Sequence, residues 1–351
     1  MYDIKDYQYD LPEGLIAQEP APRREESRLL LMDRERNALF HHRFLDLPGL
    51  LAPGDLLVLN DTRVVPARLY GRKETGGRVE ILVLDVAENG RPESAVRRCL
   101  VKASKRPRPG ARIDFGQGVW GTVEEVESDG VVRMAFSGPV DPDSFMAERG
   151  VMPLPPYIHR APNDPRASLD RDRYQTVYAG SRGAIAAPTA GLHFTGGLLE
   201  RLNRAGIGHV NLTLHVGHGT FSPVRSRDIR EHSVGPEYYR IPPETAEAVN
   251  RARSRGQRVI AVGTTVVRTL ETAAGHDGRI ASGRGRTGLM ITPGYRFRVV
   301  DGLITNFHLP GSSLLFLVSA FAGLEKTLKA YRMAVTEQYR FYSYGDAMLI
   351  L

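Results

Sequence analysis

Residues 187–221 read APTAGLHFTGGLLERLNRAGIGHVNLTLHVGHGTF, and their internal order decides the fold class. Thr195 suits a helix N-cap, because its hydroxyl can accept from the free backbone donors of the next turn. Leu198, Leu199, Leu202 and Ala205 follow at helical spacing, and Gly206 suits the left-handed position that ends a helix. Val210, Leu212, Leu214 and Val216 then alternate with His209, Asn211, Thr213 and His215, which predicts a strand with one apolar face. Two loops bracket this helix and strand, 188–194 with His193 and 217–221 with His218. Loops held by regular elements are where a scaffold places its chemistry. A single loop histidine is more often structural than catalytic. Three of them, His193, His215 and His218, within glycine-rich turns bring the two readings level.

Strands and helices alternate on both sides of this segment. Residues 258–262 (RVIAV) form a strand, Gly263-Thr264-Thr265 a turn, and a helix continues through Arg268, Leu270 and Glu271. Such a turn leaves backbone donors free for a carboxylate or phosphate, although a plain helix cap is its commoner meaning. Residues 244–255 form a helix with Ala246, Val249 and Ala252 on one side, and 303–305 a strand ending in Asn306-Phe307-His308-Leu309-Pro310. Ser312 opens a mostly buried helix, 324–339 is amphipathic, and 348–351 reads as a last strand of the sheet. Towards the N-terminus, 27–44 reads as a hairpin. Leu56 to Leu59 form a short apolar strand buried on both faces, followed by Asn60-Asp61-Thr62-Arg63. Open α/β sheets bind ligands at that end of their strands, while Asp61 and Arg63 read equally well as a local ion pair.

Between 68 and 138 the pattern changes. Strand-like runs at 78–86, 99–103, 112–115, 119–126 and 131–136 are separated by Gly, Pro or Asp-Gly turns, with no helical pattern between them. This spacing predicts a small antiparallel barrel or sandwich. The expected architecture is α/β: a mixed-sheet domain from 1–67 and 139–351, with an inserted small antiparallel β-barrel domain at 68–138.

The chain has 351 residues, 42% of them apolar and 25% charged, as in an ordinary globular protein with a large core. The single Cys99 excludes a disulfide framework, cysteine-rich metal sites and the three-cysteine cluster of radical S-adenosylmethionine enzymes. The polar N-terminus does not read as a signal peptide, and the apolar run 314–321 is far shorter than the ~20 residues that span a bilayer. A cytoplasmic protein without membrane contact is expected, with no metal. The formal net charge is +7, concentrated in acid-free stretches. One carries Arg97, Arg98, Lys102, Lys105, Arg106, Arg108 and Arg112, the other Arg279, Arg284, Arg286, Arg296 and Arg298. Either alone reads as a solvated surface; together they make nucleic acid the leading partner. No Gly-x-Gly-x-x-Gly follows a strand, and no Gly-Lys-Ser/Thr phosphate loop or His-Glu-x-x-His is present.

Eight runs resemble one family in its own order across nearly the whole chain. They are 53–68 (PGDLLVLNDTRVVPAR), 152–158 (MPLPPYI), 172–179 (DRYQTVYA), 187–195 (APTAGLHFT), 213–224 (TLHVGHGTFSPV), 262–271 (VGTTVVRTLE), 305–310 (TNFHLP) and 340–350 (RFYSYGDAMLI). The family is that of the S-adenosylmethionine:tRNA ribosyltransferase-isomerases of queuosine biosynthesis. After Glu231-His232 the family usually has Met-His before Glu; here Val234-Gly235 precede Pro236 and Glu237. Ser313 stands where Thr is usual.

The resemblance implies transfer and isomerisation of the ribosyl group of S-adenosylmethionine onto 7-aminomethyl-7-deazaguanine at the tRNA wobble position. Epoxyqueuosine, adenine and methionine result, with S-adenosylmethionine as co-substrate and no prosthetic group. It also implies an α/β domain carrying an inserted β-barrel. The chemistry needs a base, an acid and partners for the carboxylate and ammonium of methionine. His215, His193 and Asp61 are the expected catalytic groups, His215 foremost. Arg63, Thr264, Thr265, Arg268, Glu271, His308 and Asp346 are expected to hold the co-substrate, with Thr264, Thr265 and Arg268 at its carboxylate. Glu271 is expected to face its ammonium group or to hold Arg268. Arg97, Arg98, Lys102, Lys105, Arg106 and Arg108 are expected to contact tRNA, and the protein to act as a monomer. A tRNA-binding module without chemistry is the competing reading, and a methyltransferase lacks its glycine-rich loop.

Overall fold

The computed structural model describes residues 1–85, 95–127, 130–161, 164–217 and 224–351. Strands β1 (Arg28–Asp33) and β2 (Ala38–Arg43), helix α1 (Leu47–Leu50), and strands β3 (Leu56–Asn60) and β4 (Thr62–Val64) come first. Six strands follow: β5 (Arg68–Lys73), β6 (Arg78–Val83), β7 (Val96–Ala103), β8 (Arg112–Gly116), β9 (Val119–Val126) and β10 (Val131–Ser137). Then come α2 (Pro142–Arg149), α3 (Ala167–Arg173), β11 (Ser181–Ala184), α4 (Gly196–Arg204), β12 (Gly208–Leu214), β13 (Glu237–Ile241) and α5 (Pro243–Ser254). The chain closes with β14 (Val259–Val262), α6 (Thr264–Ala273), β15 (Gly283–Thr287), β16 (Gly302–Asn306), α7 (Ser313–Ala322), α8 (Leu324–Thr336) and β17 (Ala347–Ile350).

A nine-stranded mixed sheet forms the body, in the order β15-β13-β12-β3-β14-β16-β17-β1-β2. The centre, β12-β3-β14-β16, is parallel throughout. The chain therefore leaves these four strands at one edge, which gathers Asp61-Thr62, His215-Val216, Gly263-Thr264-Thr265 and Phe307-His308. Continuous apolar sequence makes this centre, because both faces of the sheet are covered. Leu57, Leu59, Ile260 and Val262 face one core with Leu198 and Leu202 of α4. Val58, Ala261 and Leu303 face the other with Val266, Val267, Leu315 and Phe316. Each of the valine, leucine, isoleucine and phenylalanine side chains among them contributes about 1.5–3 kcal/mol by leaving water.

Helix α4 is capped as its sequence predicts: Leu198 N donates to Thr195 Oγ1 at 3.0 Å, and Gly206 takes φ +77°. Strand β12 differs. It ends at Leu214, and Thr213 is as buried as its apolar neighbours because it packs under β11 and Asp61. The strand does not have one apolar and one open face.

The six strands β5–β10 close into a barrel, in the order β10-β7-β6-β5-β8-β9, and its neighbours pair antiparallel. Strand β5 is invisible as an apolar run because only Leu69 of its sequence points a large side chain inward. Gly71 is small of necessity there, since a Cβ would lie 2.7 Å from Ile113 Cγ2 and 2.8 Å from Asp114 O. Phe145 and Met146 of α2 complete the barrel core. Where the chain enters and leaves, Arg68 and Val151 exchange backbone hydrogen bonds of 3.2 and 2.9 Å. No helix among the described residues is long and apolar enough to cross a membrane.

Candidate active site

At the edge where the parallel strands end lies a cavity of about 580 Å³. Thr264 and Thr265 open one wall from the start of α6, and Phe307, His308, Ser312 and Ser313 another from the β16–α7 connection. The segment 187–190, Val216, Tyr157 and Tyr342 complete it, and among the described residues no Asp, Glu, Lys or Arg lines it. The first amides of a helix have no partner within it. Gly263 is the N-cap of helix α6; its φ of +96° suits glycine, and it supplies no side-chain cap. An anion at that terminus meets backbone donors and the positive end of the helix dipole. Helix α7, in contrast, is capped by Ser312 Oγ, which accepts from Leu315 N at 3.3 Å.

Two tyrosines form the opposite side. The rings of Tyr157 and Tyr342 lie 4.0 Å apart between centroids. Tyr342 has φ +73°, a left-handed conformation rare for a side chain of this size and costing on the order of 1–3 kcal/mol. Its backbone is pinned there, its N donating to Phe307 O at 3.1 Å and its O accepting from Asn306 Nδ2 at 2.9 Å. Its hydroxyl is buried without a partner among the described residues. His308 Nε2 bonds Thr305 Oγ1 at 2.8 Å, and burial holds its pKa down to about 3, so the ring is neutral at physiological pH.

Arg268 sits beside the cavity in a small recess shared with Thr264, Thr265 and Ser313. It is buried against Glu237, whose other oxygen accepts from Gly217 N at 2.9 Å. Desolvation lowers the guanidinium to about 10, which keeps it charged near neutrality.

A second cluster lies at the ends of β3 and β12. Thr62 Oγ1 and His215 Nδ1 are 2.8 Å apart, and the His215 ring stacks on Tyr238. A Cβ at Gly183 would stand 2.7 Å from that ring, so β11 closes over it. Thr213 Oγ1 donates to Asp61 Oδ1 at 2.6 Å. Asn60 joins this cluster to the cavity wall: its amide donates to Leu214 O at 3.0 Å and to Thr265 Oγ1 at 3.4 Å.

The structure thus brings Thr264, Thr265 and His308 into the cavity and Arg268 next to it, and it sets Asp61, held by Thr213, and His215, bonded to Thr62, at the adjoining ends of β3 and β12. His193 is buried one layer behind. Its Nδ1 bonds Ser27 Oγ at 2.7 Å, its ring stacks on Phe44, and Asn306 stands between it and the cavity. Burial lowers its pKa to about 3, partly countered by Asn306. Arg63 is exposed on β4, away from the cavity.

Two expectations are corrected. Glu271 faces neither Arg268 nor the cavity, because its carboxylate accepts from the backbone N–H groups of Arg298, Val299 and Val300 at 2.9–3.1 Å and from Tyr295 OH. Asp346 likewise accepts from Arg28 N at 2.9 Å and Arg340 N at 2.8 Å, which ties β1 to the approach of β17. The sequence pattern does not single out Asn60, Tyr157, Asn306 or Tyr342. The runs NDTR, MPLPPYI, TNFHLP and RFYSYGD contain them, but nothing in the residue pattern announces a buried left-handed tyrosine. His218 lies outside the described residues.

The basic barrel stretch also needs correction. Arg97 is 4% exposed and paired with Asp143 at 3.1 Å, so it joins β7 to α2 and cannot reach a nucleic acid. Arg98 is bound by Glu127 at 2.7 Å. Lys102, Lys105, Arg106 and Arg108 are exposed.

The family profile described as queuosine biosynthesis protein matches residues 4–350. The chain is 51% identical over 350 residues to an S-adenosylmethionine:tRNA ribosyltransferase-isomerase of Trichlorobacter lovleyi, covering 99% of both. It is 53% identical over 348 residues to that of Citrifermentans bemidjiense, again covering 99% of both. Among solved structures it is similar to an S-adenosylmethionine tRNA ribosyltransferase of Thermotoga maritima. The identity there is 36% and the TM-score 0.56, over 99% of this chain and 100% of the other.

Proposed function

The chain belongs to the queuosine biosynthesis protein family, and on that premise we propose that it acts as an S-adenosylmethionine:tRNA ribosyltransferase-isomerase. In this reading the ribosyl group of S-adenosylmethionine passes to 7-aminomethyl-7-deazaguanine at the wobble position of tRNA, giving epoxyqueuosine, adenine and methionine. The cavity at the ends of β3, β12, β14 and β16 is the observation that carries the reading for this chain. Its volume suits a nucleoside-sized ligand. The open N-terminus of α6 offers Thr264 and Thr265 to the methionine carboxylate, with Arg268 behind them. The Tyr157 and Tyr342 faces offer the sulfonium a cation–π environment. The unpartnered Tyr342 hydroxyl offers a hydrogen bond to the nucleoside.

The positive sulfur acidifies the 5′ carbon of the ribose, where a base removes a proton. The tRNA amine attacks while neutral, and adenine leaves with acid assistance. We assign proton transfer to His215, which Thr62 orients through Nδ1, with Asp61 in the same cluster. His193 supports Asn306 from behind. Lys102, Lys105, Arg106 and Arg108 are the barrel residues assigned to tRNA. Cytoplasmic action as a monomer goes with this reading, and light scattering checks the monomer.

Product analysis tests the function. Incubation with S-adenosylmethionine and tRNA bearing the aminomethyl base should release free adenine and methionine. S-adenosylhomocysteine would mean methylation, and unchanged co-substrate would mean a binding module; either defeats the proposal.

A further inference from the structure

Strands β13 and β15 extend the sheet beyond β12 as an antiparallel ribbon, with β15 at the sheet's edge. Arg284 stands opposite Arg240, and Arg286 opposite Tyr238. Arg240 in turn stands opposite Thr213 of β12. Residues directly opposite in a ladder share a face, and alternate residues of a strand do as well. Arg240, Arg284 and Arg286 therefore share one face with Tyr238, Thr213 and His215. All three arginines are exposed, and none has an acidic partner among the described residues. The only carboxylate of β13 and β15, Glu237, points to the other face, where it is buried on Arg268. Asp61 is the acid that reaches this face, and Thr213 and Ser181 hold it at the inner end. Beyond His215, Arg182 of β11 stands in register with the exposed Arg63 of β4.

Like charges directly opposite in a ladder are unfavourable, so the Arg284–Arg240 placement weakens the ribbon unless a polyanion lies over it. Guanidinium groups suit phosphates through their paired donors. The face also leads to the site. Tyr238 stacks on His215, the next residue Val216 lines the cavity, and Glu237 holds the arginine beside it. The barrel stretch differs in that Arg97 and Arg98 are already neutralised by Asp143 and Glu127.

We infer that the face carrying Arg240, Arg284 and Arg286 is an RNA-backbone contact that guides the substrate strand to the cavity mouth, separately from the barrel lysines and arginines. This inference rests on the reading that tRNA is the substrate.

The test uses the full chain and an anticodon stem–loop RNA, with affinity measured between 50 and 200 mM salt. Each phosphate contact contributes roughly 0.7–0.9 to the log–log salt slope, so the R240A/R284A/R286A variant should lose about two units of slope. Calorimetry should show parental S-adenosylmethionine binding, and circular dichroism a parental fold. The R240K/R284K/R286K variant, which keeps the charges, should retain most of the slope. An unchanged slope in the folded alanine variant would overturn the inference. So would self-association of that variant with parental RNA affinity, because the arginines would then only guard a sheet edge. Failure of the parent chain to bind the RNA or to release adenine would instead defeat the tRNA reading itself. A parent that does both beside an alanine variant of parental slope defeats only the contact.

Discussion

Replacing Arg268 by Met should destabilise the protein by about 3–5 kcal/mol, because it breaks a buried ion pair by removing its cation. The side chains of Arg268 and Glu237 are only 8% and 7% exposed, so water cannot replace the lost partner. Gly217 N, which donates to the other Glu237 oxygen, is a neutral group and does not restore the lost charge. Such a loss is a large share of the ~5–15 kcal/mol that holds a domain folded. The Glu237→Leu change should cost a similar amount by leaving the guanidinium alone. The double variant R268M/E237L should recover most of it, since a buried ion pair and an apolar pair of similar volume are often close in stability. Urea unfolding at pH 7.5, where Arg268 is still charged, gives the three free energies by linear extrapolation. A cost below ~1 kcal/mol for R268M, or strict additivity of the two single changes, would refute the reasoning. The same set reports on the site. Arg268→Lys keeps the charge and loses the fork, so S-adenosylmethionine binding should weaken by about 10-fold or more, the worth of one charge-assisted hydrogen bond.

His215→Gln keeps a hydrogen-bonding side chain but cannot shuttle a proton, so single-turnover adenine release should fall by ~10²–10⁴-fold. Co-substrate binding by calorimetry should persist, and a near-parental rate would make the ring structural. His308 gives a pH signature. Its folded pKa of about 3 lies below the unfolded value of 6.5, so its stabilising effect is full above pH 6.5. It is lost as pH falls towards 3, at about 1.4 kcal/mol per pH unit. Comparing urea midpoints at pH 7 and 5, His308→Gln should lose less stability than the parent on acidification; parallel losses would contradict the assignment. Arg97→Met should lower barrel stability by several kcal/mol and leave the salt slope of tRNA binding in place, and a flatter slope would return Arg97 to the RNA surface.

What sequence reading recovers here follows from periodicity. The strands at 56–60, 259–262 and 303–305 are legible because burial on both faces leaves them apolar throughout, and α4 because its cap and stop residues are local. Strands β5, β13 and β15 are not, because each has one wet face or an edge position that dilutes the apolar signal with arginine, tyrosine and glycine. The same logic separates the site residues. The place of Thr264 and Thr265 in the cavity wall follows from a local strand–turn–helix pattern, which leaves helix-terminal amides open at that point. Glu271 and Asp346 share motifs with them, yet their carboxylates satisfy backbone N–H groups of distant segments, 298–300 for Glu271 and Arg28 for Asp346. No spacing rule encodes those long-range partners. Arg97 is misread for a related reason, since its partner Asp143 lies 46 residues away on α2.

Among the described residues the cavity is lined by tyrosine faces, helix-terminal amides and uncharged side chains, which has a chemical consequence under the proposed reaction. A carboxylate beside the sulfonium would bind it well, but in doing so would neutralise the charge that acidifies the 5′ carbon. An ammonium or guanidinium there would repel the co-substrate outright. Tyrosine faces and helix-terminal amides avoid both outcomes. They interact through fixed quadrupoles and dipoles, leaving the positive sulfur able to withdraw electron density from the ribose. Burial serves the same end at His308, because a ring neutral down to about pH 3 adds no positive charge near the sulfonium. The charged groups are held one layer out: Arg268 against Glu237, and Asp61 beneath Thr213 and Ser181. There they shape the field and the cavity wall without forming an ion pair with the reacting centre. That division is built by the fold, because helix-terminal amides point into the opening at the ends of the parallel strands while ionised side chains pair among themselves behind it.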